Sequence, residues 1–211
     1  SHLGLAGIPN LSEVLHVSRM IEIARFFKIK ILFKSIASPR SISLINKAKE
    51  EGLDVSCEVS INHLLKSDES CLEFNTTAKL NPPLSSKEDL KYLQDALKNS
   101  KIDIITTLHQ PSSPINKEVS FFDADYGSES LSYALPLYYT KLVKDGFISL
   151  SELVRLSVLN PAKAIGLDKG IIEVGKEFDC VLFDISKQIK VENKQSLFDG
   201  EYLDGAVIDI A

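Results

Sequence analysis

Ile104-Ile105-Thr106-Thr107-Leu108-His109-Gln110-Pro111-Ser112-Ser113 is the stretch on which the reading of this sequence turns. It begins as a short β-branched run, the composition of a strand, and breaks into a polar loop at a histidine and a proline. In an α/β barrel, catalytic groups sit at the end of such a strand. Here the last position before the histidine is Leu108, whose side chain neither binds a metal nor carries a proton.

Outward from this stretch, strands and helices alternate. Toward the N-terminus, Asn10 and Glu13 form a capping-box variant that opens a helix placing Val14, Val17, Ile21 and Ala24 at three- and four-residue steps, with Leu15 and Met20 beside them. Ile29 to Lys34 follows as a strand, then a helix begun by Pro39 and closed by Gly52, then a strand over Val55 to Ser60. A polar section past Leu65 ends in an expected short strand near Ala78 to Leu80, stopped by Asn81-Pro82-Pro83-Leu84. Ser85 and Glu88 read as a second capping box, opening a helix with Leu90, Leu93 and Leu97 on one face. Three such alternations with short connections predict βα units around a parallel sheet.

Toward the C-terminus, the loop from Leu108 to Tyr126 has the length of a lid or binding segment. Helices are expected over Ser130 to Lys144 and over Ser149 to Leu159, the second with a capping box from Ser149 to Glu152, followed by a helical turn at Asn160-Pro161. From Gly170 the texture changes to short strands with glycine turns, through Ile171-Ile172-Glu173 and Cys180-Val181-Leu182-Phe183 to Val207-Ile208-Asp209-Ile210. The expected division is a partial barrel over 1–168 and part of a small β-domain over 169–211.

Composition narrows the function classes. The chain has 211 residues, 44% of them hydrophobic, and a net charge of −5 with mixed signs and no basic stripe, which argues against a nucleic-acid partner. Cys57, Cys71 and Cys180 are widely spaced and odd in number, which fits a reducing cytoplasm better than a disulfide framework. No apolar run spans a bilayer and the first residues lack a signal-peptide layout, so a soluble cytoplasmic protein without membrane contact is expected.

Several segments together resemble the second half of a dihydroorotase of the amidohydrolase superfamily. Leu3-Gly4-Leu5-Ala6-Gly7-Ile8-Pro9 is similar to the family's loop before the helix preceding the sixth barrel strand. Glu58-Val59-Ser60-Ile61-Asn62-His63-Leu64 resembles its Glu-Val-Thr-Pro-His-His-Leu element, and Asn81 to Leu84 its Asn-Pro-Pro-Leu-Arg motif up to the last residue. Ile104 to Pro111 stands in place of Ile-Ala-Thr-Asp-His-Ala-Pro-His, while Asn160 to Leu167 and Gly170 to Asp184 resemble the last barrel helix and the start of the closing β-sandwich. The resemblance implies strands six to eight of a (β/α)8 barrel plus part of the small β-sandwich. It also implies that the family's N-terminal half, with its His-x-His pair, bridging carboxylate or lysine and following arginine, lies outside this stretch.

The resemblance implies departures as well. The family's chemistry uses metal ions to hold a hydroxide and a strand-end carboxylate to bind metal and shuttle a proton. Ser35 falls where the family has a histidine ligand, and a hydroxyl is a poor zinc ligand beside imidazole. Leu108 falls on the aspartate, Ser112 on a histidine that contacts the substrate carboxylate, and Ser85 on the arginine after Asn-Pro-Pro-Leu. Asn81 and His109 are retained as substrate-binding candidates. No catalytic residue, metal ligand or cofactor is therefore expected of this chain, although active family members hold zinc.

Plainer roles stand beside these. His109 is either a remnant site residue or a histidine bonded to loop backbone; His63 opens a helical turn and reads as structural. His16 suits a solvated or interface position, His2 lies too near the terminus to read, and Asn81 either caps a turn or contacts substrate. Cys57 reads as packed core, and Lys34 and Lys79 are weak anion-site candidates. The expected function is a dihydroorotase-like protein of pyrimidine biosynthesis without catalysis, partnering aspartate transcarbamoylase; its uncovered barrel edges are expected to pack against a copy of itself, giving a homo-oligomer, or against the missing half. The alternative is an active metal-dependent dihydroorotase whose remaining ligands lie in the N-terminal half.

Overall fold

A computed structural model describes residues 4 and 7–208. Its centre is a parallel sheet of β1 (Ile31–Phe33), β2 (Val55–Ser60) and β3 (Ile104–Thr106), in that spatial order. Phe33 pairs with Cys57, Glu58 with Ile104, and Ser60 with Thr106, so all three strands end on one side. The crossovers carry α2 (Pro39–Glu50) and, after α3 (Ile61–Leu65) and a run of 3-10 turns, α4 (Lys87–Lys98). This is the βα order the alternation of patterns predicts. The expected strand near Ala78 to Leu80 is absent. Thr76–Ala78 form a 3-10 turn, and β2 already bonds β1 on one side and β3 on the other, leaving no edge between them.

The helices owe their place to apolar stripes. In α1 (Asn10–Phe27) the buried residues are Val14, Val17, Ile21 and Ala24, the predicted set. They join Ile42 and Ile45 of α2, Leu93 and Leu97 of α4, and Val55, Cys57 and Val59 of β2 in one core. Each large side chain so buried contributes roughly 1.5–3 kcal/mol. The C-terminal helices α6 (Ala134–Tyr138), α7 (Leu150–Val154) and α8 (Asn160–Ala164) add Leu137, Leu153 and Leu156; α6 and α7 each run on into a wider π turn.

Two capping expectations require correction. Glu13 does not close its own helix. Its carboxylate accepts the backbone N–H groups of Ala37 and Ser38, both at 3.0 Å, and so caps α2 instead. Pro9 stands at the cap of α1, and the Asn10 amide reaches Asp89. At α4 the cap is Ser86, whose hydroxyl accepts from Asp89 N–H, one residue beyond the expected Ser85. Ser149 caps α7 through Glu152 N–H as expected.

Past α8 the chain is irregular until a hairpin of β4 (Leu182–Lys190) and β5 (Tyr202–Ile208), antiparallel with a bulge between Asp184 and Gln188. The expected strand at Ile171–Glu173 is not formed; this stretch is irregular and pairs with no strand. Val191, Phe198 and Leu203 carry the hairpin into the main core, and Tyr133 hydroxyl bonds Ser196 and Glu129 carbonyl across the junction. The readings that touched His2, the start of the Leu3 to Pro9 loop and Asp209-Ile210 lie partly or wholly outside the described residues. Among the described residues, no helix is long and apolar enough to cross a membrane.

Candidate functional site

Because β1, β2 and β3 are parallel, their C-terminal ends converge, and the residues just beyond them form one rim. Beyond β1 lie Lys34 and Ser35, beyond β2 Asn62 and His63, and beyond β3 Thr107, Leu108 and His109. Two of these positions share an unusual backbone. Ser35 and Leu108 are left-handed, with φ of 55° and 49°. For an L-residue this conformation costs roughly 1–2 kcal/mol, and a branched side chain suits it poorly. Side chains brace the turn at β3: Thr106 Oγ1 accepts Leu108 N–H at 3.4 Å, and Thr107 Oγ1 accepts His109 N–H at 3.3 Å.

Ser35 and Asn81 line a common cavity of about 560 Å³ between the start of α1, the end of β1 and the Asn81–Leu84 segment. Glu13, His16 and Lys34 share its wall. Asn81 is exposed there and precedes a cis peptide bond to Pro82. His109 is not part of this cavity. Its Nδ1 accepts the backbone N–H groups of Ser130 (3.4 Å) and Leu131 (3.2 Å) and lies 3.5 Å from the Glu129 carboxylate. Of the two candidate binding residues, one faces the cavity and the other ties down loop backbone.

His63 is fully buried. Its Nε2 lies 3.1 and 3.2 Å from the carbonyl oxygens of Pro82 and Pro83 and therefore donates, while Nδ1 lies 2.7 Å from Ser60 Oγ and accepts. Burial holds the imidazole below its ordinary pKa, against the pull of the two carbonyls. Both ring nitrogens are spent on structure, as the sequence reading of His63 expects. Cys57 is fully buried core, its thiol pushed up to about 12 chiefly by burial. His16 is exposed beside Arg19.

Other sequence-singled residues have defined partners. Ser112 Oγ donates to Asp125 at 2.7 Å, where Asn116 donates as well, and these two bonds hold the Asp125 carboxyl below its usual range. Lys79 is no free anion site: its Nζ donates to the carbonyls of Phe122 and Ala124. Ser85 Oγ is buried without a partner among the described residues.

Four residues that sequence reading passed over matter here. Glu58 is 7% exposed, and burial raises its carboxyl pKa against the opposing pull of Lys34 and Ser35. The signal was present: with Ser56 and Ser60 it forms the polar phase of a strand whose other phase is Val55, Cys57 and Val59. Asn62 is fully buried, with its Nδ2 3.4 Å from Thr107 carbonyl and its Oδ1 without a partner among the described residues. Glu129 is buried, accepting Ser132 N–H, Ser132 Oγ–H and Asn193 Nδ2–H. Lys117 is buried in a nest of carbonyls. Asn62 falls on the first histidine of the element that Glu58 to Leu64 resembles; Glu129 and Lys117 had no sequence signal, because their partners come from segments that only folding brings together.

This donor set does not suit zinc. Ser35 supplies a hydroxyl, Asn62 an amide oxygen and Leu108 nothing; both nitrogens of His63 are engaged, and His109 is bonded through Nδ1. Among the described residues, no three His, Cys, Asp or Glu side chains are grouped to hold a metal ion. Zinc prefers nitrogen, thiolate and carboxylate ligands, so no reaction step is derived through a metal on these residues.

Residues 10–208 match the profile of the amidohydrolase family. Two curated dihydroorotases are similar over nearly the whole chain. The protein from Acetivibrio thermocellus is 36% identical over 97% of this chain and 50% of its own length. That from Elusimicrobium minutum is 39% identical over 97% and 49%. The chain thus spans about half the length of the curated relatives it matches. Among solved structures, the L-hydantoinase (dihydropyrimidinase) of Arthrobacter aurescens superposes with a TM-score of 0.88 at 27% identity, over 94% of this chain and 47% of that one. The dihydropyrimidinase of Brevibacillus agri shares the fold, with a TM-score of 0.85 at 24% identity over 95% and 47%. With a family profile covering residues 10–208 and relatives 36% and 39% identical over 97% of its length, the chain belongs to the amidohydrolase family, with dihydroorotases as its curated relatives.

Proposed function

We propose that this chain is a dihydroorotase-like component of pyrimidine biosynthesis that serves as a structural subunit and does not hydrolyse a cyclic amide. The observation that carries the reading is Leu108 at the end of β3, where a left-handed turn presents a side chain with no acid–base or ligand chemistry. In the family mechanism this slot needs a carboxylate, and general acid–base help alone is worth about 100- to 10,000-fold in rate. Ser35, in the same backbone conformation at the end of β1, supports the reading because it replaces a second expected ligand.

The structural role is supported by surface left without cover. β1 and β3 each have one unpaired edge among the described residues, and Ile172, Val174 and Phe178 are 84%, 103% and 77% exposed. Edges and apolar surface of this kind are normally covered, either by the rest of a (β/α)8 barrel or by a partner, and the chain spans about half the length of its curated relatives. The partner we propose is aspartate transcarbamoylase, together with self-association of the chain. Co-purification and analytical ultracentrifugation with that enzyme test it: a complex at micromolar concentration is expected, and failure to associate overturns the partnership.

A second reading has one observation in its favour, the 36–39% identity to proteins named dihydroorotase. In it the N-terminal half supplies enough ligands for a zinc site and the full-length protein is active. Elemental analysis of the full-length protein separates the two, since a bound stoichiometric zinc supports the second reading and contradicts the first.

A further inference from the structure

The rim loop between Leu108 and Ser130 is fastened chiefly by ammonium groups. Of its large apolar side chains Ile115, Val119 and Phe122 are exposed, and Phe121 is half-buried beneath the Lys79 ammonium. Lys117, at the end of α5 (Pro114–Lys117), is by contrast only 8% exposed. Its Nζ donates to the carbonyls of Thr76 (3.0 Å), Asp125 (2.8 Å) and Gly127 (2.6 Å). The nearby Asp125 carboxylate is turned to Ser112 and Asn116 instead. Thr76 Oγ1 returns a bond to Lys117 carbonyl at 2.8 Å, and Gly127 N–H donates to Lys79 carbonyl at 2.8 Å.

We propose that Lys117 is a latch: its caged ammonium pins the rim loop onto the Thr76 turn beside the Lys79 bonds to the Phe122 and Ala124 carbonyls, and the loop loosens around those bonds when the Lys117 ammonium is removed. The three donors of an ammonium match three converging carbonyls. A guanidinium is planar and wider, so charge alone does not satisfy the cage. An apolar replacement leaves three acceptors without a donor, a state buried polar groups avoid. The loop's ends stay attached regardless, through the His109 contacts to Ser130 and Leu131 at one end of the span. Burial also lowers the ammonium pKa, with partial compensation from Asp125, in line with a cation held by neutral oxygens.

The test is amide hydrogen exchange on the wild type, Lys117→Met, Lys117→Arg and Lys117→Ala. Expected is exchange about tenfold or more faster over residues 116–127 in all three variants, with α2 and α4 unchanged. Methylammonium is expected to restore protection in Lys117→Ala, and tetramethylammonium, which has no N–H, is not. Wild-type protection in Lys117→Met, full protection in Lys117→Arg, or equal acceleration throughout α2 and α4 overturns the latch. Should the variants not fold, acetic anhydride on the wild type decides. Lys117 is expected to react about tenfold or more slowly than exposed Lys28, and equal rates overturn the proposal.

Discussion

Replacing His63 removes one fully buried ring that joins three segments: Ser60 at the end of β2, the first turn of α3, and the Pro82–Pro83 carbonyls. His63→Ala leaves the Ser60 hydroxyl and two carbonyls short of a partner, at roughly 1–3 kcal/mol for each group that stays dry, and opens a cavity as well. Partial relaxation brings the expected loss to about 3–5 kcal/mol, the range of large-to-small core changes. For a chain of this size that is roughly 6–20 °C in Tm. His63→Gln keeps a donor for the proline carbonyls and removes the group that titrates.

Burial holds the folded-state imidazole below its ordinary 6.5. The fold therefore accepts the neutral ring, and the contribution of His63 is complete above about pH 6.5. As pH falls below that value, the unfolded chain binds a proton that the folded chain refuses, and stability is lost. Between pH 7.5 and 5.5 the ceiling on this loss is about 1.4 kcal/mol, reached when the folded state takes up no proton at all. The carboxylates with lowered pKa, such as Asp125, titrate below this window. Urea unfolding of wild type and His63→Gln across that range is the assay. The wild type should lose stability toward pH 5.5 relative to the variant, and parallel curves would refute a buried neutral His63.

Further outcomes follow from particular contacts. Gly127→Ala places a Cβ 2.1 Å from Gln110 carbonyl at a φ of +111°, so a loss of at least about 2 kcal/mol is expected in thermal unfolding, whereas Gly7→Ala, with open space around it, should be neutral. Glu129→Ala strips the acceptor from Ser132 and Asn193 and should lower stability by about 2–4 kcal/mol, with exchange rising first in the turn before β5. Leu97→Ala, at 1% exposure, should cost about 2–5 kcal/mol by urea unfolding. Leu15→Ala, at 62% exposure on the outer face of α1, should stay within about 0.5 kcal/mol.

How much the sequence discloses depends on how local the cause is. The buried set of α1 follows from periodicity, and the parallel order of β1, β2 and β3 from the alternation of strand and helix patterns. The Ser149 cap is also local and was legible. Glu13 shows where local reading stops: its spacing from Asn10 fits a capping box, yet it serves the helix 24 residues on because α2 lies beside α1. The strand expected at Ala78 to Leu80 fails for a similar reason, since strand composition cannot reveal that both edges of β2 are taken. At the site, Ser35, Asn81 and Leu108 were found by motif position, and the cavity unites Ser35 with Asn81. His109 turned out to serve backbone amides, while Asn62, Glu129 and Lys117 have partners that only tertiary packing supplies.

The central claim is that a leucine at the end of β3 and a serine at the end of β1 leave this amidohydrolase without hydrolytic chemistry. The most direct measurement is turnover of dihydroorotate and of carbamoyl aspartate by the full-length protein supplied with zinc. No interconversion above the uncatalysed rate is expected. Sustained turnover that a chelator abolishes and added zinc restores would contradict it.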